Sequence, residues 1–170
     1  MQSNVGREIV LASGPAGADL TDALEHDGIL YTAGYSSETI DRFDVASSVW
    51  LTPINVGDAV TSLGIAADTI IAGTVTDGLF LIENGSIRTN IPAGQDQNSN
   101  SQYIVDIAAV GDCTTTQGCQ ILFIQENAAY RADVDSTAVG SATLLTSDYL
   151  LTGQVATYGG AVSYTHLRAH

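Results

Sequence analysis

Short apolar runs, rich in Ile, Val, Leu, Tyr and Thr, recur along the chain and are separated by clusters of Gly, Asn, Asp and Ser. Their spacing of about eight to twelve residues is typical of antiparallel β-structure, and no segment shows the periodicity of an amphipathic helix. We therefore predict an all-β protein. The predicted strands are Ile9–Ala12, Leu20–Glu25, Ile29–Ala33, Thr39–Val45, Val49–Ile54, Val60–Ala66, Thr69–Gly73, Leu79–Glu83, Ile87–Ile91, Tyr103–Val110, Gln120–Gln125, Ala129–Val134, Ala142–Leu145 and Leu150–Thr157.

Two of the connections carry turn chemistry that is specific for hairpins. Asp27-Gly28 lies between two predicted strands, and Asn84-Gly85 lies between two others. Asp-Gly and Asn-Gly tolerate the positive φ angles of a type I′ turn, which joins antiparallel strands through two residues. The sequence therefore predicts a tight hairpin at each position.

The sequence also contains a weak internal repeat. "GADLTDALEHDG", from Gly17, aligns with "GDAVTSLGIAADT", from Gly57, and "RFDVASS", from Arg42, aligns with "RADVDST", from Arg131. The two offsets correspond to one and two units of about 40–45 residues, which is the size of a four-stranded β-propeller blade. The repeat therefore indicates a β-propeller.

We predict that residues 1–161 form a partial β-propeller of four-stranded antiparallel blades. The blades span residues 17–56, 57–100 and 101–147, with Ile9–Ala12 and Leu150–Thr157 in flanking blades. Propellers close with typically four to eight blades, so we expect the remaining blades to lie in a longer protein. A β-sandwich or an adhesin-like repeat array is the alternative architecture.

The segment "ILYTAGYSSETIDRFDVASSVWLTPI" carries Ala33-Gly34 after an apolar run, then Phe43-Asp44, then Trp50. In this order and spacing the residues resemble a kelch repeat. The resemblance implies that they are packing and turn residues at the ends of the second, third and fourth strands of a blade, not catalytic residues. The second unit has neither the aromatic-Asp pair nor the tryptophan.

Charge excludes some classes of partner. The net charge is −14, and the chain contains no lysine. A surface of this sign repels phosphate backbones and anionic lipids, so we expect neither nucleic-acid binding nor electrostatic membrane docking. No apolar run approaches the length of a membrane span, and the first residues do not have the pattern of a secretory signal.

Two cysteines bracket a short polar segment in "GDCTTTQGCQ". We predict a disulfide between Cys113 and Cys119, with two free thiols as the alternative. A disulfide implies an oxidising compartment. We therefore expect an extracellular, periplasmic or cell-envelope location.

Candidate metal ligands and catalytic groups are few. His26, in "LEHDGIL", is interpreted as a turn residue because the sequence places no partner histidine beside it. "ADVDST" lacks the glycine and glutamate that a calcium loop of the EF-hand type requires. Nucleophile elbows, phosphate-binding glycine loops and Cys-His pairs are absent from the sequence. We therefore predict no metal, no cofactor and no catalytic residue in this chain.

Loop topology predicts a binding face instead. In a propeller, the loop between the second and third strands of a blade and the connection to the next blade lie on the same face, and long polar loops on a rigid scaffold commonly carry binding groups. The sequence thus predicts a binding or interaction module whose ligand is a protein or a carbohydrate. The alternative is part of a carbohydrate-active or oxidase-type propeller enzyme with its catalytic residues elsewhere. The candidate binding residues are Tyr35, Glu38, Asp77, Asp96, Gln97 and Asn98.

The last residues differ from the rest of the chain. "VSYTHLRAH", from Val162 to His170, contains two of the three histidines and belongs to no repeat unit. It resembles, residue for residue, the translation of an adapter used to prepare DNA sequencing libraries. We therefore expect residues 162–170 to be a non-native tail.

Overall fold

The computed structural model describes residues 19–83, 85–91, 103–110, 119–125, 128–134, 139–146, 154–158 and 161–165. Every regular element in these ranges is a β-strand. The first sheet contains β1 (Leu20–His26), β2 (Ile29–Gly34), β3 (Thr39–Asp44) and β4 (Val49–Asn55). The second contains β5 (Val60–Ala66), β6 (Thr69–Thr74), β7 (Leu79–Glu83) and β8 (Ser86–Ile91). The third contains β9 (Ile104–Val110), β10 (Cys119–Gln125), β11 (Ala128–Val134) and β12 (Thr143–Thr146), and a hairpin follows with β13 (Gln154–Tyr158) and β14 (Ala161–Thr165).

Each of the three large sheets is an antiparallel meander in which every strand pairs with its neighbour in sequence. Within the described ranges, no strand of one sheet pairs with a strand of another. This arrangement confirms the predicted all-β units of four antiparallel strands. The continuous sheet expected of the alternative repeat array is not found there.

Most of the predicted strands occur within one or two residues of their predicted limits. Three expectations have other outcomes. Of the predicted strand Leu150–Thr157, the structure describes only residues 154–157, which lie in β13. The predicted strand Ile9–Ala12 lies outside the described residues, and β14 was not expected. Val162–Thr165, in the segment expected to be non-native, pair with β13. This pairing does not test the origin of that segment.

The first strands of successive sheets lie side by side, because β5 contacts both β1 and β9, and β9 contacts β13. Apolar side chains fill the space between the sheets. One core cluster joins the first and second sheets around Ile40, Val60 and Phe80. A second joins the second and third sheets around Ile71, Ile104 and Phe123. The second sheet is thus covered on both faces, which explains why β6 is buried along its whole length.

The second residue of each first strand forms a β-bulge. The pairing of β1 with β2 skips Thr21, that of β5 with β6 skips Thr61, and that of β9 with β10 skips Val105. A bulge increases the local twist and redirects the side chains beside it. The repeat seen in the sequence at Leu20-Thr21 and Val60-Thr61 therefore corresponds to a repeated irregularity of the strand.

The predicted hairpin at Asp27-Gly28 is confirmed, since both residues have the positive φ angles of a type I′ turn, 51° and 77°. In the second predicted hairpin, Gly85 has φ 77° and separates β7 from β8. Asn84 lies outside the described residues. A third tight turn uses Ala67 and Asp68, with φ angles of 50° and 58°, although neither is glycine.

Candidate binding face and turn face

Connections alternate between the two ends of each meander, so the molecule has two distinct faces. We define the loop face by the β2–β3 loop (residues 35–38), the β4–β5 connection (56–59) and the β6–β7 loop (75–78). The turn face, at the opposite ends of the strands, carries the β1–β2 turn (27–28) and the β5–β6 turn (67–68). Each face contains one cluster of polar side chains from different sheets.

On the loop face, the β2–β3 loop is tied to the start of the second sheet. The Glu38 carbonyl oxygen accepts hydrogen bonds from the backbone N–H groups of Val56 and Gly57 at 2.8 and 3.1 Å. The Tyr35 backbone N–H donates to the Asp19 carbonyl oxygen at 3.0 Å, while its side chain is 49% exposed. A large aromatic ring is therefore presented to solvent by a loop with a fixed backbone.

The β6–β7 loop is held by one carboxylate. Oδ2 of Asp58 accepts hydrogen bonds from the Thr76 backbone N–H at 2.7 Å, the Thr76 hydroxyl at 3.0 Å and the Asp77 backbone N–H at 3.0 Å. The Thr74 hydroxyl reinforces this loop by donating to the Gly78 carbonyl oxygen at 3.0 Å. Asp58 thus joins the connection between the sheets to the loop that carries Asp77.

The environment of Asp58 favours its charged form. Burial acts to raise the pKa of the Asp58 carboxyl, but the hydrogen bonds that it accepts from the β6–β7 loop outweigh burial and lower the pKa below its ordinary value. The carboxylate therefore remains ionised and bonded at neutral pH.

The structure places three of the six predicted binding residues. Tyr35, Glu38 and Asp77 lie on the loop face, and all three are exposed. Asp96, Gln97 and Asn98 lie outside the described residues. Sequence reasoning missed Asp58, which is half-buried and positions Asp77. The sequence feature that could have identified Asp58 is the short connection "VGDA" between two predicted strands, where an Asp is well suited to accept hydrogen bonds from nearby backbone N–H groups.

On the turn face, two turns from different sheets meet. His26 is the last residue of β1, and its Nε2 lies 3.8 Å from Oδ2 of Asp27 and 3.5 Å from Oδ1 of Asp68 in the β5–β6 turn. The His26 side chain is 19% exposed, whereas those of Asp27 and Asp68 are 83% and 60% exposed. One nitrogen and two carboxylate oxygens that can bind a metal ion thus lie within 4.8 Å of one another.

The sequence predicts His26 to be a turn residue, and the structure adds a second contact, because the imidazole also faces the β5–β6 turn. The internal repeat contained this information: the alignment that places Gly57 on Gly17 also places Asp68 on Gly28, directly after Asp27. Equivalent turns of neighbouring repeat units lie next to each other in a stacked array. Asp68 could therefore have been expected close to His26.

The predicted disulfide lies partly outside the described residues. Cys119 begins β10, is 5% exposed, and is not a free thiol. Cys113 is in the segment between β9 and β10 that the structure does not describe. The pairing of Cys113 with Cys119 therefore stays a prediction.

Solved structures resemble this arrangement of sheets. The computationally designed Ika4 protein superposes with a TM-score of 0.64 and 12% identity, over 89% of this chain and 92% of that one. The WD40 domain of Toxoplasma gondii coronin gives a TM-score of 0.57 and 9% identity, over 81% of this chain and 36% of that one. The Dos1 propeller gives 0.54 and 13%, over 76% and 36%. No protein-family model matches the sequence, and no curated protein is significantly similar to it.

Proposed function

We propose a binding function for this chain, which is an all-β protein with the fold of a partial β-propeller made of four-stranded antiparallel blades. It spans about a third of the coronin WD40 domain and of the Dos1 propeller that it matches. Among the described residues, no helix is long and apolar enough to cross a membrane.

We propose that this propeller is an interaction module that binds proteins through its loop face. The observation that carries the proposal is Tyr35, which is 49% exposed in a loop whose backbone is hydrogen-bonded to both neighbouring segments. Tyrosine is enriched in protein interfaces because a rigid aromatic ring gives a large contact area at a small cost in conformational entropy. The exposed carboxylates of Glu38 and Asp77 lie on the same face, so the partner carries a basic surface.

We propose an extracellular or cell-envelope location. The buried Cys119, which is not a free thiol, supports this location, since structural disulfides persist in oxidising compartments. The strongly acidic composition, with a net charge of −14, is also common in proteins outside the cell.

We further propose that the first blade is kelch-like. In support, the rings of Phe43 and Trp50 pack edge to face with centroids 5.2 Å apart, and the two residues are direct cross-strand partners. The pair packs the third strand of the blade against the fourth, as expected for packing residues. Residues 162–170 are proposed to be adapter-derived because of their residue-for-residue resemblance.

The binding function is tested with a random peptide library selected against the full chain. We expect the selected peptides to be rich in Arg and Lys, and their affinity to fall at least about tenfold in Tyr35→Ala and as ionic strength rises. Asp27→Asn, on the turn face, is the control and leaves the affinity unchanged. Peptides that bind Tyr35→Ala as well as the parent chain would contradict the proposal.

A glycan array, probed with the same chain, distinguishes the other ligand class. We expect no glycan to bind with an affinity that depends on Tyr35. Binding of glycans that Tyr35→Ala abolishes, together with failure of peptide selection, would replace the protein partner with a carbohydrate.

A further inference from the structure

The cluster on the turn face consists of three side chains from two sheets. His26 and Asp27 come from the end of β1 and its turn, and Asp68 comes from the β5–β6 turn. These residues have no part in the loop face. They form the only group of at least three potential metal ligands in the part of the chain that the structure describes.

We propose that His26, Asp27 and Asp68 bind a divalent transition-metal ion such as Zn²⁺. Zn²⁺ binds histidine nitrogen and carboxylate oxygen at about 2.0–2.2 Å in a tetrahedral arrangement, which places the ligand atoms about 3–4 Å apart. The imidazole nitrogen lies 3.5 and 3.8 Å from the two carboxylate oxygens. Both nitrogen–oxygen separations therefore fit one ion, all three ligand atoms lie within 4.8 Å of one another, and a water molecule completes the fourth position.

The backbone holds these ligands in place. Asp27 and Asp68 both have positive φ angles, 51° and 58°, within tight two-residue turns. Gly28 donates its backbone N–H to the Glu25 carboxylate at 2.7 Å, which reinforces the first turn. His26 is largely buried at the end of a paired strand. Only the exposed carboxylates need to rotate, so metal binding does not require the sheets to move.

The charge of the cluster also favours a cation. No described arginine forms an ion pair with Asp27 or Asp68. The two carboxylates therefore lie beside an imidazole, which is not permanently charged, and no permanent positive charge balances them. A divalent ion balances both. The imidazole ligand selects Zn²⁺, Co²⁺ or Ni²⁺ over Mg²⁺ and Ca²⁺, which prefer oxygen ligands alone. Our sequence-based interpretation of His26 as a turn residue depended on the lack of a partner histidine, and the structure instead places the Asp68 carboxylate beside it.

A bound ion joins the first blade to the second at the face opposite the loop face. Because the ion binds both turns only when the two sheets are packed, it stabilises the folded chain over the unfolded one. The consequence is a metal-dependent rise in the thermal midpoint.

The test measures Zn²⁺ binding to the full chain by isothermal titration calorimetry and records thermal unfolding with Zn²⁺ and with a chelator. We expect one site, a higher thermal midpoint with Zn²⁺, and at least about tenfold weaker binding in His26→Gln and in Asp68→Asn. Asparagine tolerates the positive φ angle at position 68, so Asp68→Asn preserves the turn. Mg²⁺ at the same concentration leaves the midpoint unchanged.

His166 and His170 require a matched control, because two further histidines near the end of the chain can bind Zn²⁺ themselves. The double variant His166→Ala/His170→Ala is expected to keep the site and the rise in midpoint. Loss of the site in this double variant, or unchanged binding in both His26→Gln and Asp68→Asn, would overturn the proposal. The visible absorption of bound Co²⁺ gives a second measurement, and it should change in Asp68→Asn but not in the tail variant.

Discussion

The Thr21 hydroxyl donates a hydrogen bond to the Val60 carbonyl oxygen at 2.8 Å, from the bulge of one blade to the first strand of the next. Thr61 repeats this contact one blade later, where its hydroxyl lies within hydrogen-bond distance of the Ile104 carbonyl oxygen. The neighbouring Asp22 carboxylate adds a bond of 2.7 Å from the Leu63 backbone N–H. The threonines that revealed the repeat in the sequence therefore connect successive blades.

Replacing these threonines with valine removes the hydroxyl and keeps the shape. We expect Thr21→Val to lower the free energy of unfolding by about 0.5–1 kcal/mol, because Thr21 is itself exposed and a single hydrogen bond is lost. Thr61→Val should cost more, about 1–3 kcal/mol, since Thr61 is buried and its hydroxyl also faces the Gly73 carbonyl oxygen. Urea denaturation measures both values.

The third blade has Val105 at the equivalent bulge, so it makes no such bond through a side-chain hydroxyl. Thr52→Val, at an exposed position in β4, is the control and should change stability by less than about 0.5 kcal/mol. Equal losses of unfolding free energy in Thr21→Val, Thr61→Val and Thr52→Val would show that the threonine hydrogen bonds between blades do not stabilise the fold.

Gly73 allows the second and third blades to approach closely. A Cβ atom at this position would lie 2.5 Å from Cγ2 of Ile104 and 2.6 Å from Oγ of Ser62. We expect Gly73→Ala to destabilise the fold by about 1–3 kcal/mol through overpacking, as measured by chemical denaturation. The first blade has Ala33 at the equivalent pairing position, so the requirement for glycine is specific to the second.

A double-mutant cycle identifies the cause of that loss. Ile104→Ala removes Cγ2, the nearest atom to the new methyl group, but leaves Cβ of Ile104 at 2.8 Å and Oγ of Ser62 at 2.6 Å, so Gly73→Ala should cost less, though still a measurable amount, in the Ile104→Ala background. Gly140→Ala is the control for glycine replacement itself, since Gly140 has no positive φ angle and the added Cβ would lie no closer than 3.4 Å to its nearest neighbour, the Asp133 carbonyl oxygen. Additive effects of the Gly73 and Ile104 substitutions would contradict the proposed clash.

The sequence predicted the strands, the Asp27-Gly28 hairpin and the units of four strands, because these depend on local patterns. Alternating apolar runs specify strands, and Asp-Gly specifies a type I′ turn. The turn at Ala67-Asp68 has no such signature, since its positive φ angles occur in residues that rarely adopt them. Its geometry became evident only in the structure.

The candidate sites were harder to predict, because they depend on contacts between blades. Loop order was enough to place Tyr35, Glu38 and Asp77 on one face. The Asp58 carboxylate bonds to loop residues about 20 positions away, and Asp68 lies about 40 positions from His26. Of these two contacts, only the one between Asp68 and His26 could be inferred from the repeat alignment. Side-chain chemistry at such contacts is fixed by the packing of sheets and not by local sequence.

The disulfide between Cys113 and Cys119 is tested by its chemistry. Alkylation of the denatured chain without a reductant should modify neither cysteine, and reduction should lower the free energy of unfolding by about 2 kcal/mol, the loss expected for so short a loop. The double variant Cys113→Ser/Cys119→Ser should match the reduced protein and should not respond to a reductant. Alkylation of both residues before reduction would establish two free thiols.

Asp58 makes stability depend on pH in a direction that its lowered pKa determines. Because the folded-state pKa lies below the unfolded value of about 3.9, the carboxylate contributes its full stabilisation above that value. The contribution is lost as the pH falls through the folded-state pKa. Asp58→Asn, which removes the charge that accepts three loop hydrogen bonds, should therefore destabilise the protein by about 1 kcal/mol at pH 7.

The difference in unfolding free energy between the parent chain and Asp58→Asn should shrink steadily below about pH 4, because the parent carboxyl is then protonated as well. Asp77→Asn removes one negative charge from the β6–β7 loop and keeps the accepting carboxylate of Asp58, so it should leave stability at pH 7 nearly unchanged. Denaturation curves at several pH values between about 2.5 and 7 measure both differences. A gap between the parent and Asp58→Asn that stays constant across this range would mean that the hydrogen bonds, and not the charge, account for the stabilisation.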